Sequence, residues 1–193
     1  MSVVSKNTEA VLRQFAERVV KAAKLNLGAT RTITYNDGKK KRRRQVSSGK
    51  LKDSIDYNLT TGVHLLMSFT MEDYGKFIDE GVSGTKYKVP GGSRFGFGAS
   101  ASKGEPTRLE SIKKWMKTKN IKARDLKTKS FVKQTDANID KAAFLISRSI
   151  KQKGIPKSEF FQAPFRLEFA KLPEEVLKAV SMDVDEFLKF TKR

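Results

Sequence analysis

The chain has no cysteine, one histidine, one tryptophan and five prolines in 193 residues. Without cysteine there is no disulfide framework, no thiolate zinc site and no thiol nucleophile. With one histidine, serine–histidine chemistry has a single candidate base. That residue, His64, falls on the polar side of an alternating segment, with no serine or carboxylate motif beside it. No apolar run approaches the roughly 20 residues needed to span a bilayer. The opening stretch, MSVVSKNTEAVLRQF, carries Glu9 early and lacks a continuous apolar core, so it does not read as a secretory leader. The expectation is a chain made and kept in a cytoplasm-like compartment.

What is present is positive charge. Forty Lys and Arg stand against 21 Asp and Glu, a formal net charge of +19. Apolar residues make up 38%, including 13 Phe, which suffices for a modest core. The excess charge concentrates in Arg31 to Lys50 and Lys113 to Lys133, while Lys171 to Arg193 balances five cations with five acids. Such placement suggests a directed field rather than general solubility.

Hydrophobic periodicity gives the outline of the fold. Val11, Leu12, Phe15, Val19, Ala22 and Ala23 recur at helical spacing, so a helix is expected over 8–27, with Thr8 as N-cap and Gly28 as stop. Thr32 to Tyr35 reads as a strand entering the turn Asn36-Asp37-Gly38. The six cations Lys39, Lys40, Lys41, Arg42, Arg43 and Arg44 repel one another and read as a mobile loop or hairpin tip. Ile55, Tyr57 and Leu59, then Val63, Leu65, Met67 and Phe69, alternate with polar residues and predict an antiparallel hairpin within 54–71. A short helix follows in Asp73 to Glu80, ended by Gly81. Residues 83–106 form a Gly-rich loop carrying Tyr87, Phe95 and Phe97.

Further helices are expected over 107–118, with Leu109, Ile112, Trp115 and Met116 on one face, and over 137–152, capped by Asp136. Ser158 to Phe165 reads as an aromatic, proline-bounded loop. A last helix covers 173–190 and carries Val176, Leu177, Val180, Val184, Phe187, Leu188 and Phe190. The sum is a single α+β domain over 1–193: a small antiparallel sheet against several helices, with a basic loop at 30–50, the Gly-rich loop and a C-terminal helix at 171–193.

A search for chemistry gives little. Gly91 to Gly98 is glycine-rich, but no G-x-x-x-x-G-K-[ST] phosphate loop occurs. The acidic pairs Glu72-Asp73 and Asp79-Glu80 read as solvated helix faces, with no second cluster at nuclease-like spacing. No catalytic residue, metal site or cofactor is expected, and the chain does not read as an enzyme. The cation run can neutralise phosphates or meet an acidic protein surface. Phe95 and Phe97, between Arg94 and Lys103, are candidates for stacking on bases. No zinc-finger, RNP-type or recognition-helix signature points to sequence-specific reading.

The order of short motifs is more informative than any one of them. Ser48-Gly49-Lys50-Leu51-Lys52-Asp53-Ser54-Ile55 is followed by the strand hairpin, then Tyr74-Gly75-Lys76-Phe77-Ile78-Asp79-Glu80-Gly81. Much later comes Gly154-Ile155-Pro156-Lys157-Ser158-Glu159-Phe160-Phe161-Gln162-Ala163-Pro164-Phe165. Over roughly residues 8–170 this resembles the tail-completion or head–tail joining proteins of tailed bacteriophages. That family carries a TG-L-x-x-S-I step, a Y-x-x-F-x-E-x-G step and a late P-x-x-F-F-x-x-A step in the same order. Ser48 stands where the family often has Thr. The basic and Gly-rich insertions lie outside the short family core, which leaves open which neck ring is meant: tail completion, tail terminator or another connector.

The resemblance implies a structural virion protein at the neck–tail junction, assembled in the host cytoplasm. It implies a homo-oligomeric ring contacting portal, adaptor and tail proteins, with no membrane partner. Phe77, Phe160, Phe161 and Phe165 are the candidate subunit contacts, with the alternative that the aromatic group fills the protein's own core. Lys39 to Arg44 are the candidates for contact with DNA phosphates or an acidic partner ring. The rival expectation is a non-specific nucleic-acid-binding protein acting alone in packaging or regulation.

Overall fold

A computed structural model of the chain describes residues 6–44, 49–61, 65–98, 108–125 and 127–191. The fold is α+β, with seven helices and small two-stranded antiparallel sheets among the described residues. Ser48 of the first motif, Val63 of the expected hairpin, His64 and Lys103 lie outside these residues.

The chain gathers into two compact units. Unit 1 holds residues 1–33, 41–79 and 158–193, and unit 2 holds 34–40 and 80–157. The backbone passes from one to the other four times, so neither unit is a continuous stretch of sequence. This is why no linker or composition break marks a boundary.

Unit 1 is built on helix α1 (Lys6–Gly28), whose Phe15, Ala16, Val19, Ala23 and Leu27 are buried at helical spacing. The helix starts two residues before Thr8, so Thr8 is not its N-cap. The first-turn N–H groups, which have no partner inside a helix, are met from far along the chain. Asp183 accepts from the backbone N–H groups of Asn7 at 3.1 Å and Thr8 at 3.0 Å, and from the Thr8 hydroxyl at 2.8 Å. A carboxylate is also the charge that the positive end of a helix dipole favours.

Strands β1 (Thr30–Thr34) and β2 (Lys40–Arg44) pair in one hairpin. Thus Lys40 to Arg44 form a return strand rather than a loop. In extended backbone successive side chains point to opposite faces, which separates like charges that a tight loop would crowd. Next come α2 (Lys50–Ser54), β3 (Asp56–Thr60) and β4 (Leu66–Thr70). β3 and β4 are antiparallel with Tyr57 opposite Phe69 and Leu59 opposite Met67, so the expected alternation sets the register. α3 (Gly75–Glu80) follows.

The segment expected as a proline-bounded aromatic loop instead enters helix α6 (Gln162–Phe169), which leads into α7 (Leu172–Thr191). Pro164 sits in the first turn of α6, where its missing N–H costs no intrahelical bond. Phe161, Phe165 and Phe169, four residues apart, form a ladder with stacked neighbours at 6.0 and 5.6 Å. Phe15 and Phe69 meet the ladder edge-on, at 5.9 Å from Phe165 and 5.3 Å from Phe161 respectively.

Unit 2 is built on α4 (Arg108–Thr118) and α5 (Asp136–Lys153). Ile112, Met116 and Ala143 form its core, with Leu109, Ile121, Ala142, Ile146 and Ile150 around them. Trp115, expected on the apolar face, is 45% exposed. The cap of α5 is Thr135, whose side chain accepts from the Asn138 N–H, while Asp136 lies in the first turn. Strands β5 (Val82–Ser83) and β6 (Gly154–Ile155) pair antiparallel at the end of α5.

The Gly-rich segment is tied down where it is described. Thr85 donates to Lys151 O at 2.9 Å, and Lys86 and Tyr87 donate to Gln152 O at 3.0 and 3.2 Å. These bonds satisfy carbonyls that the last turn of α5 leaves without helical partners. The turn of the β1–β2 hairpin belongs to the same unit. Asn36 donates to Lys153 O at 2.8 Å and Val82 O at 3.1 Å, and Asp37 pairs with Lys153 at 2.9 Å.

Candidate assembly surfaces

The three motifs meet in one core of unit 1. Leu51 and Ile55 of the first, Ile78 of the second, and Phe160 and Phe161 of the third pack together with Ala23 and Leu27 of α1. Gly49 has φ 86°, a conformation glycine adopts without strain, and from it the chain turns into α2. Ser54 donates to Leu51 O at 3.0 Å and accepts from the Glu72 N–H at 3.0 Å, so the hydroxyl joins α2 to the chain after β4.

Asp79 joins the second motif to the third. It is 4% exposed. Its carboxylate accepts from the N–H of Phe161 at 2.8 Å and of Gln162 at 3.2 Å, capping the start of α6. Its own carbonyl accepts from the N–H groups of Ser158 and Glu159 at 3.2 and 3.0 Å. The sequence reading as a solvated acidic face is therefore corrected at Asp79. A carboxylate is held there because two helix-terminal N–H groups point at it. Sequence spacing alone carries no signal for this contact, since its partners lie 82 and 83 residues away.

The same geometry revises the expected subunit contacts. Phe160 is 0% exposed and presents no surface to a neighbour. Phe161 and Phe165 are half-buried in the ring ladder of their own unit. Phe77 is half-buried on α3, with the Lys76 ammonium 5.6 Å from its ring centre. The aromatic group expected to anchor a neighbour is thus mainly interior packing.

An exposed apolar stripe lies elsewhere, on α7. α7 turns Ala179 inward against α1, and Arg18 holds both terminal helices, reaching Glu168 of α6 and Glu175 of α7 at 2.7 Å each. Arg18 and Lys171 keep the Glu168 carboxyl below the usual carboxylate range. On the outer side of α7, Leu177, Val180, Val184 and Leu188 are exposed, Leu177 to 69%. The sequence reading named the apolar residues of this helix without dividing them between two faces. The available signal was an apolar arc wider than one contact needs.

Charge divides sharply between the units. Unit 2 holds 21 Lys and Arg against 7 Asp and Glu, net +14, while unit 1 holds 19 against 14, net +5. Lys39 to Arg42 are exposed. For Arg43 and Arg44 only the backbone of β2 is described. In unit 2, Arg94 lies over Phe95 at 4.8 Å, Arg124 over Phe131 at 4.3 Å and Lys86 over Tyr87 at 5.4 Å. Arg94 also pairs with Glu80 at 2.6 Å. Among the described residues no group of three or more potential metal ligands occurs, and no helix is long and apolar enough to cross a membrane.

No family model, no curated protein and no solved structure matches the chain.

Proposed function

We propose that this chain is a structural component of the neck of a tailed bacteriophage, forming a homo-oligomeric ring that completes the tail or joins it to the capsid portal. The reading rests on the ordered motifs. It is supported by one observation above all: segments separated by up to about a hundred residues of sequence meet in a single core, held by Asp79. Short patterns that matched by accident would have no reason to interlock. The exposed stripe of α7 supplies apolar surface for assembly, and the cationic unit suits an acidic neighbour or phosphates. The role is assembly, with portal, adaptor and tail proteins as partners.

The test is placement and mass. An antibody against the chain is expected to label the head–tail junction of tailed particles released by the strain carrying the gene. Native mass spectrometry of the extracted protein is expected to give a closed ring. Particles that lack the chain overturn the reading.

A second reading, non-specific nucleic-acid binding by the isolated protein, is favoured by the net +14 of unit 2 and the exposed Lys39 to Arg42. It predicts duplex binding that weakens steeply with salt. Neutralising those four cations would reduce the log–log salt slope by about 3.6 if each contacts a phosphate. If the same replacement abolishes DNA binding while tailed particles still assemble, the second reading gains and the cations drop out of the assembly argument.

A further inference from the structure

We propose that the outer stripe of α7 docks into a groove beside α4 and α5 of a second copy, making the subunit contact heterologous. The inference deepens the ring reading above and rests on it.

Two complementary surfaces are left over within this one sequence. The first is the α7 stripe of Leu177, Val180, Val184 and Leu188, about 130° round the helix from the face that packs on α1. Helical geometry puts Glu174 and Asp185 along its border, beside Leu177 and Leu188, with Lys178 and Lys189 one step further round the helix. The other three acids on this helix are engaged within the chain, Asp183 with Asn7 and Thr8, Glu186 with Asn7, and Glu175 with Arg18.

The second surface is a groove of about 670 Å³ in unit 2. Its apolar wall is formed by Met116, Ile121, Ala142, Leu145 and Phe131, and Phe131 is 62% exposed. Lys122 and Arg124 line the same groove. An acid-bordered apolar helix therefore has a cation-bordered apolar groove to enter.

Charge selects this pairing over its rivals. Groove against groove brings together two surfaces of units carrying net +14. Stripe against stripe brings acid-bordered helices together and leaves the cations of the groove without counter-charge. Stripe against groove puts opposite charges at the rim and apolar atoms at the centre. Because the two patches differ, each copy retains one free patch after pairing. Repetition of the contact then closes a ring when the rotation allows.

The absence of cysteine makes the test clean. Val184→Cys and Leu145→Cys are prepared as separate proteins; both positions are exposed in the described structure. Each is treated with a short bismaleimide alone and after mixing, at concentrations where sedimentation shows association. A covalent dimer abundant in the mixture and scarce in either protein alone is the expected result. Asp185→Lys should weaken self-association at least about tenfold, and adding Arg124→Glu should recover most of the loss. Equal cross-linking of Val184→Cys alone would show a symmetric α7 pair and overturn the proposal. Association without the mixed cross-link would overturn this contact and leave the ring standing. A protein that is monomeric at every concentration and absent from particles would remove both.

Discussion

Replacing Asp79 by Ala removes the carboxylate that hydrogen-bonds the second motif to the third. Its carboxylate accepts from Phe161 N–H at 2.8 Å and Gln162 N–H at 3.2 Å, in a site only 4% exposed. A hydrogen bond to a charged group contributes about 1.5–3 kcal/mol. The longer bond belongs at the low end, and loss of a helix cap to Ala costs about 0.5–2 kcal/mol by itself. These figures describe the same two contacts, so they are not added. The expected loss is about 3 kcal/mol. For Asp79→Asn, which keeps one acceptor oxygen without the charge, about half that loss is expected. With a urea m-value of about 2 kcal/mol per M, Asp79→Ala should lower the unfolding midpoint by about 1.5 M. Far-UV circular dichroism follows the transition. Hydrogen exchange at the amides of 161 and 162 reports the local effect, and both should lose protection. A midpoint shift under about 0.5 M, with those amides still protected, would refute the reasoning.

The remaining expectations separate core from surface and one pH effect from another. Phe160→Ala should cost about 3–5 kcal/mol in urea unfolding, whereas Val184→Ala should stay within about 0.5 kcal/mol, because only the first side chain is interior. Gly154 has φ 77° and its added Cβ would press on the Val82 carbonyl, so Gly154→Ala should cost more than about 2 kcal/mol. Trp115 lies in the same unit and its fluorescence provides the unfolding signal. Glu168 is depressed first by its bond from Arg18 and then by Lys171, so its contribution is present above the ordinary carboxylate value. That contribution is lost as pH falls through the lower folded value. Arg18→Met should therefore flatten the fall of the thermal midpoint below roughly pH 5, measured on both proteins across the acid range.

Much of the helical outline was legible because long periodic segments state their own period. The helices expected at 8–27, 107–118, 137–152 and 173–190 are Lys6–Gly28, Arg108–Thr118, Asp136–Lys153 and Leu172–Thr191. The β3–β4 pair follows from alternation in the same way. What was not legible depends on distant partners or on competing local signals. The cap of α1 comes from Asp183, over 170 residues away, so a nearby Thr8 was a reasonable but wrong local choice. α6 was hidden by Pro164, although Phe161, Phe165 and Phe169 already stood at one-turn spacing. The cation run was read from mutual repulsion, which strand geometry relieves by sending neighbours to opposite sides. The two units could not be seen at all, because the chain enters and leaves each of them more than once.

The residues that carried the resemblance and those that can carry assembly turn out to be different sets. Leu51, Ile55, Ile78, Asp79 and Phe160 spend their contacts on one core, so their pattern speaks first of a fold. On the proposed ring reading, a subunit contact would instead be made by side chains that this core does not use. On α7 the apolar residues occupy too wide an arc to face a single neighbour: Ala179 goes to α1, and Leu177, Val180, Val184 and Leu188 face away from it. A soluble chain can carry scattered exposed leucines without consequence, but four on one helix stripe form a surface. The acids beside that stripe and the net charge of unit 2 have opposite signs. On the proposed docking, the basic total of the sequence is half of a complementary pair, with the other half supplied by the acid-bearing helix at its end.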